Sequence, residues 1–411
     1  MMVLNDAATA ARNAEASGLA AALQASRTDT LATFAITEKA LRQLGVPQRA
    51  TLNPPLWELG HIGWFQEHWI ARNPARNAGA QADPNAVRAA GVRHNADALY
   101  DSSHVAHATR WSLPLPDAAA THSDLARQLD GTLACLRNAR STDDALYFFR
   151  LALFHEDMHH EAALYMAQSL GVAITDPRWQ ATALPAAGTD LSFEAGSWTL
   201  GSRSGGFAFD NELAGHAVAL PATQIASHVT RWAEFLPFVE AGGYTQPQGW
   251  TAAGAAWLAS ENAEAPRYLR RNGATWQQWR HGVWLALDLA QPACHLTAFE
   301  AQAWCRWAGR RLPSEAEWER AACTWAGQQA DDPPEVFSWG QVWEWTASPF
   351  APYPGFVAHP YRDYSAPWFD GRPVLRGASF MTQPRMRHAR YRNFFQPQRN
   401  DLPAGFRSCA L

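Results

Sequence analysis

His155 and His159 stand four residues apart in Leu151-Ala-Leu-Phe-His-Glu-Asp-Met-His-His-Glu-Ala162. The stretch is built of good helix formers, with no Gly or Pro between Ala145 and Ser169. On a helix this spacing stacks both imidazoles on one face, close enough to hold a single metal ion. Neutral imidazole suits Fe, Zn, Cu or Ni, so the pair marks a metal site without identifying the metal. Histidines on a solvated face need no metal. Here Leu151, Phe154, Met158 and Ala162 make the face apolar, and imidazoles on a buried face need partners. A third ligand must come from elsewhere, and the candidate is His61, which sits among Trp57, Trp64 and Phe65. His68, two helical turns further on, is a weaker one. Glu58 and Glu161 are placed to orient ligand imidazoles from behind or simply to be solvated.

The elements that must position these residues are helical. Segments near 14–44, 55–73, 121–140 and 145–170 carry apolar residues at three- and four-residue spacing, separated by Pro- and Gly-containing loops. Four long helices most simply form a four-helix bundle, where metal sites are built from facing helices. The Ala-rich N-terminus up to Ala40 carries Asp6, Glu15 and Arg27, so it reads as an amphipathic helix and not as a signal peptide. Residues 175–190 hold Asp176-Pro177 and Leu184-Pro-Ala-Ala-Gly188, a linker composition. Beyond it come short strand-like pieces and many Gly, Pro and Trp, with helices expected only at 230–241, 297–308 and 314–322. The alanines at 252–256 read as low complexity. The expectation is an α+β protein of two domains, 1–180 and 181–411.

The chain has 411 residues, 47% hydrophobic and 18% charged, with a net charge of −4. That is the composition of a folded protein with a large core. No basic run favours nucleic acid or an anionic membrane surface, and no apolar stretch approaches the length of a membrane span. Five widely spaced cysteines argue against a disulfide framework and for a reducing cytoplasm. Twenty tryptophans are an unusual number; most must be core, and such a surplus often marks aromatic binding surfaces as well. Oligomeric state is not readable from the sequence.

Several motifs resemble a known family. Trp198-Thr-Leu-Gly-Ser202, residues 298–319, Val342-Trp-Glu-Trp-Thr346, Val374-Leu-Arg-Gly-Ala-Ser379 and Gly405-Phe-Arg407 resemble the formylglycine-generating-enzyme (sulfatase-modifying factor) domain, a C-type-lectin-like fold. Gly60-His61 and the 155–161 stretch resemble the DinB-like four-helix bundle. Fused in this order, the two resemble the ergothioneine-biosynthesis sulfoxide synthases and their relatives. In that family three histidines hold Fe(II), and O2 drives attachment of a chalcogen to imidazole C2 of hercynine. Copper-dependent formylglycine generators use a cysteine pair near the C-terminal core; only Cys409 is present there, which argues against formylglycine chemistry.

Carried over by position, the resemblance puts His61, His155 and His159 on the iron triad. Tyr361, with Tyr364 as runner-up, falls on the tyrosine that donates a proton. Asn393 and Arg399 match the loop that grips both organic substrates. Two departures stand out. Phe395 replaces an Asp that pairs with the amino group of γ-glutamylcysteine, and Met158 replaces a Gln that meets hercynine. Losing that carboxylate forfeits a charge-assisted bond of about 1.5–3 kcal/mol. Phe394, Phe395 and Gln396 would suit a sugar, which points to the selenoneine synthase branch and a selenosugar donor; an unchanged thiol donor is the alternative. Hercynine's trimethylammonium calls for aromatic faces, with Phe394, Phe395 and Trp345 as candidates. Arg110 and Arg399 could hold carboxylate or hydroxyl groups. A non-catalytic rival is a lectin-like binding module beside a metal-storing bundle.

Overall fold

The computed structural model describes residues 3–185, 188, 190–325 and 337–411. Residues 186, 187 and 189 of the expected linker lie outside the described residues. The N-terminal half is helical: α1 (Val3–Asn13), α2 (Ala16–Ala40), α3 (Pro55–Trp69), the short α4 (Ala96–Tyr100), α5 (Ala118–Arg137) and α6 (Asp143–Leu170). Helices α2, α3, α5 and α6 pack on one another. Helix α6 starts where the Thr142 hydroxyl accepts from the Ala145 N–H and stops at Gly171, whose φ of 72° ends it with a left-handed cap.

The N-terminus departs from the single expected helix. It breaks between α1 and α2 because the Arg12 carbonyl accepts from the Phe207 N–H instead of continuing the helical ladder. Arg12 also pairs with buried Glu212 at 2.6 Å, tying α1 to the C-terminal half.

That half adds α7 (Trp232–Glu240), α8 (Ala252–Glu261), α9 (Ala298–Trp307) and α10 (Glu315–Trp325). Helix α8 corrects the reading of the alanines at 252–256 as low complexity. The Thr251 hydroxyl caps it, and Asn262 ends it in the left-handed region. Among the described residues, the first of four sheets runs in the order β1 (Asp190–Phe193), β4 (Thr223–Ala226), β13 (Cys409–Ala410), β8 (Arg310–Arg311). The second runs β11 (Asn393–Phe394), β10 (Pro373–Gly377), β9 (Trp343–Pro349), β12 (Ala404–Gly405). A two-stranded ribbon pairs β2 (Gly196–Leu200) with β3 (His216–Leu220), and a meander joins β5 (Leu269–Asn272), β6 (Thr275–Arg280) and β7 (Val283–Ala286).

The motifs that marked this half meet in its core. Glu344 of β9 accepts from Trp318 Nε1 at 2.7 Å and from Arg407 at 2.5 and 2.9 Å. Arg376 of β10 pairs with Glu319 of α10, both fully buried. These charges are paired and hydrogen-bonded out of water, which fixes how the sheet and helix α10 register.

Helix α6 is the common wall of the two halves. Glu161 accepts from Trp343 Nε1, Ser379 Oγ and Thr382 Oγ1 at 2.8, 2.5 and 2.7 Å. One turn earlier, Asp157 pairs with Arg385 at 2.6 Å. Among the described residues no helix is long and apolar enough to cross a membrane.

Candidate metal centre

Helices α3 and α6 bring His61, His155 and His159 together, with one ligand atom of each within 4.8 Å of the others. The Nε2 atoms of His155 and His159 are 3.2 Å apart. Two nitrogens about 2.1 Å from one ion, at right angles to each other, would be roughly 3.0 Å apart. The spacing fits a shared ion.

Each ring is aimed by a different contact. His61 donates from Nδ1 to the Tyr100 carbonyl at 2.8 Å and stacks on Trp57 with ring centroids 4.8 Å apart, which leaves Nε2 as its free nitrogen. His159 donates from Nδ1 to Glu58 Oε2 at 2.5 Å. Glu58 is held in turn by Asn53, which also accepts from Arg110 at 2.9 Å. His155 lies flat on Phe65, at 3.5 Å and 2° between planes, and its buried Nδ1 has no protein partner. Burial, then the charge of His159, holds His61 down at about 3. Burial holds His155 well below its usual value. Both are therefore neutral at neutral pH, the form that binds metal. Burial alone would raise Glu58, but the charge and hydrogen bond of His159 bring it below the usual carboxylate value.

Of the two acids expected behind the imidazoles, Glu58 touches one. Glu161 does not: its Oε1 accepts from Trp343, Ser379 and Thr382, and the residue stands on the wall of the neighbouring cavity. His68 stands outside the cluster, accepting from Arg88 Nε at 3.3 Å.

His155 and His159 line a cavity of about 530 Å³ whose wall includes Arg110, Met158, Tyr361, Tyr364, Asn393, Phe394 and Phe395. Tyr361 stands edge-on to Phe65, its ring centroid 6.2 Å from that of His155. Burial, then the charges of Asp363 and Asp101, pushes its phenol well above the ordinary value. Tyr364 donates to Tyr391, which donates to Met158 Sδ, so its hydroxyl is already engaged. Arg110 stacks on Trp57 at 3.8 Å.

Three expected residues are off the cavity wall. Trp345 is fully buried and donates to the Leu296 carbonyl at 2.8 Å, so it belongs to the core. Gln396 donates to Asp370 at 3.1 Å. Arg399 makes a two-pronged pair with Asp401 at 2.5 and 2.7 Å and stacks over Phe395 at 4.9 Å, so it acts through that ring. The wall also contains Tyr165, Trp343 and Tyr391, which sequence reasoning did not single out. Tyr165 follows Met158 by seven residues, and helical periodicity could have flagged it. Tyr391 carries no such signal.

The sulfatase-modifying factor enzyme 1-like domain family matches residues 180–334. The chain is 31% identical over 408 residues to a hercynine oxygenase of Mycolicibacterium smegmatis, covering 87% of this chain and 90% of that protein. It is 32% identical over 414 residues, with the same coverage, to a hercynine oxygenase of Mycobacterium tuberculosis. Similarity to the formylglycine-generating enzyme of Streptomyces coelicolor is 28% over 244 residues, 45% of this chain and 76% of that one.

Proposed function

This chain belongs to the hercynine oxygenase family, and we propose that it uses O2 and Fe(II) to join a sulfur-bearing donor to imidazole C2 of hercynine. The observation that carries this reading is the convergence of His61, His155 and His159 beside a cavity walled by both halves of the chain. In this reading residues 1–180 are a DinB-like four-helix bundle that supplies the ligands. Residues 181–411 are a C-type-lectin-like domain that supplies the substrate loops.

A bound ferrous ion would supply O2 activation at coordination positions that three imidazoles leave open. The chain's own residues do the rest. The Tyr100 carbonyl and Glu58 fix the tautomers of His61 and His159, so each presents Nε2. Tyr361 Oη, buried and protonated at neutral pH, is the proton donor to the reacting centre. Asn393 and the rings of Phe394 and Phe395 hold the organic substrates and exclude water, while aromatic faces such as Trp343 and Tyr391 attract hercynine's trimethylammonium. The thiol of Cys409, pushed up to about 12 by burial, gives no support to formylglycine chemistry. Five free cysteines support a cytoplasmic setting.

A second reading, a selenosugar donor, is favoured by one observation: Phe394 and Phe395 stand on the cavity wall, Phe395 at the position where the resemblance to users of γ-glutamylcysteine implies an ammonium-binding Asp. The experiment is to mix anaerobic, iron-loaded protein with hercynine and γ-glutamylcysteine, cysteine or a selenosugar in turn, admit air, and follow O2 and product mass. Hercynine-dependent O2 uptake with one adduct identifies the donor. Its absence with every donor overturns the enzyme reading in favour of a binding module.

A further inference from the structure

Behind Tyr361, on the side away from the large cavity, lies a second void of about 10 Å³. The two spaces share only Tyr361 and Tyr364 among their lining residues, so these rings form the partition. The void also meets Tyr147, Asp210 and His359. A buried water needs roughly 10–15 Å³ and two to four polar partners. This space lies at the lower limit of volume and has five polar side chains on its walls.

We propose that Tyr147 and His359 form a proton wire joining solvent to the back of Tyr361, completed by one water held in this void. The proposal rests on the reading of Tyr361 as proton donor. Tyr147 Oη is hydrogen-bonded to His359 Nδ1 at 2.9 Å, which in the Nδ1–H tautomer leaves the Tyr147 proton free for the void, and its ring is fixed on α6 against Phe148 and Phe207. The His359 backbone N–H is tied to Asp210 Oδ2 at 3.2 Å. Asp210 also accepts from Ser365, so the loop that carries both His359 and Tyr361 is held at each side of the void. Burial holds the His359 imidazole down at about 4. The neutral ring carries one proton, and with it at Nδ1 facing Tyr147 the ring leaves Nε2 to accept from solvent, the arrangement that hands protons inward. His359 is partly exposed and supplies the solvent end.

The need for such a route follows from the partition. Substrates filling the large cavity exclude bulk water from the front of Tyr361, and a phenolate left in an apolar site is costly. For each proton Tyr361 Oη gives forward, the water gives one to Oη. Tyr147 then gives one to the water and takes one from His359 Nδ1, while His359 Nε2 takes one from solvent. No net charge stays in the void.

The test uses iron-loaded full-length protein and compares Tyr147→Phe and His359→Gly with native enzyme in H2O and D2O, with and without added imidazole. General acid–base groups contribute about 10²–10⁴-fold, and a relay that solvent can partly replace is expected below that range, with kcat down roughly tenfold. Hercynine KM should stay unchanged, the solvent isotope effect should rise, and imidazole should restore His359→Gly but not Tyr147→Phe. The backbone bond to Asp210 survives in the glycine variant; His359→Gln replaces it should the glycine variant fail to fold, again with lower kcat and a larger isotope effect expected. Native kcat and isotope effect in the folded variants would overturn the wire alone, as would a loss that comes with changed KM and no imidazole rescue. Absence of hercynine-dependent O2 uptake by native protein would remove the parent reading and the wire with it.

Discussion

His159 is clamped between Glu58, 2.5 Å from its Nδ1, and His155, 3.2 Å from its Nε2. The carboxylate accepts the Nδ1–H hydrogen bond, so the nitrogen that faces His155 is the one with a free lone pair. Two such lone pairs pointed at each other repel unless a proton or a cation lies between them. A shared cation or the proton of His155 Nε2 can fill that gap, and the clamp reaches outward through Asn53 to Arg110.

Replacing Glu58 tests the clamp. In Glu58→Gln the amide keeps the shape but loses the charge that fixes the His159 tautomer. Changes to such outer partners typically cost about 10–100-fold in metal affinity. Equilibrium dialysis against Fe(II) or a redox-inert stand-in should show a loss of that size with the fold intact by circular dichroism. Native affinity would show that Glu58 is not what orients His159.

Gly60 allows Tyr100 to approach helix α3. A Cβ at residue 60 would overlap the Tyr100 ring, and the Tyr100 carbonyl is what aims His61. Alanine gains about 1 kcal/mol over glycine in a helix interior, but overpacking costs typically ~1–3 kcal/mol. Gly60→Ala is expected to lower the denaturant midpoint modestly and to weaken metal binding out of proportion to that loss. A destabilised variant with native metal affinity would free His61 from Tyr100.

Glu161 gives a pH-dependent prediction. Burial, opposed by its three hydrogen bonds, raises its carboxyl above the ordinary value. The folded state thus holds this proton more tightly than the unfolded chain. The charged form costs stability as pH rises from the unfolded value through the folded one, and the cost disappears below the unfolded value. Glu161→Gln keeps an acceptor for Trp343, Ser379 and Thr382 without the charge. It should match or exceed native stability at neutral pH and lose that advantage in acid. Urea melts across pH would expose the wrong sign as an advantage that grows in acid.

The histidine face of α6 is legible in the sequence because a helix makes neighbours of residues three and four apart, so composition and spacing alone place His155 beside His159. The same logic extends to Tyr165. What is not legible depends on distant chain. The break after α1 needs Phe207, 195 residues from Arg12. The engagement of Glu161 needs Trp343, Ser379 and Thr382, and the coreward turn of Trp345 needs Leu296. The alanines of α8 carry no apolar stripe, so only Thr251 and Asn262, the two caps, announce the helix.

The proposed choice between donors can be tested at Phe395. It stands on the cavity wall with the Arg399 guanidinium 4.9 Å above its ring, and Arg399 is already paired with Asp401. A carboxylate in its place would face both the cavity and a guanidinium whose charge is partly spent, leaving it available to an incoming ammonium. A charge-assisted hydrogen bond is worth about 1.5–3 kcal/mol, which corresponds to roughly 10–150-fold in affinity. Phe395→Asp is therefore expected to lower KM for γ-glutamylcysteine toward that range. It should raise KM for a sugar-borne donor, which loses its apolar stacking face, while hercynine KM stays near native. Steady-state kinetics with each donor measures all three. Unchanged constants for both donors would take Phe395 out of the donor site and return the selectivity to Asn393 and the tyrosines around it.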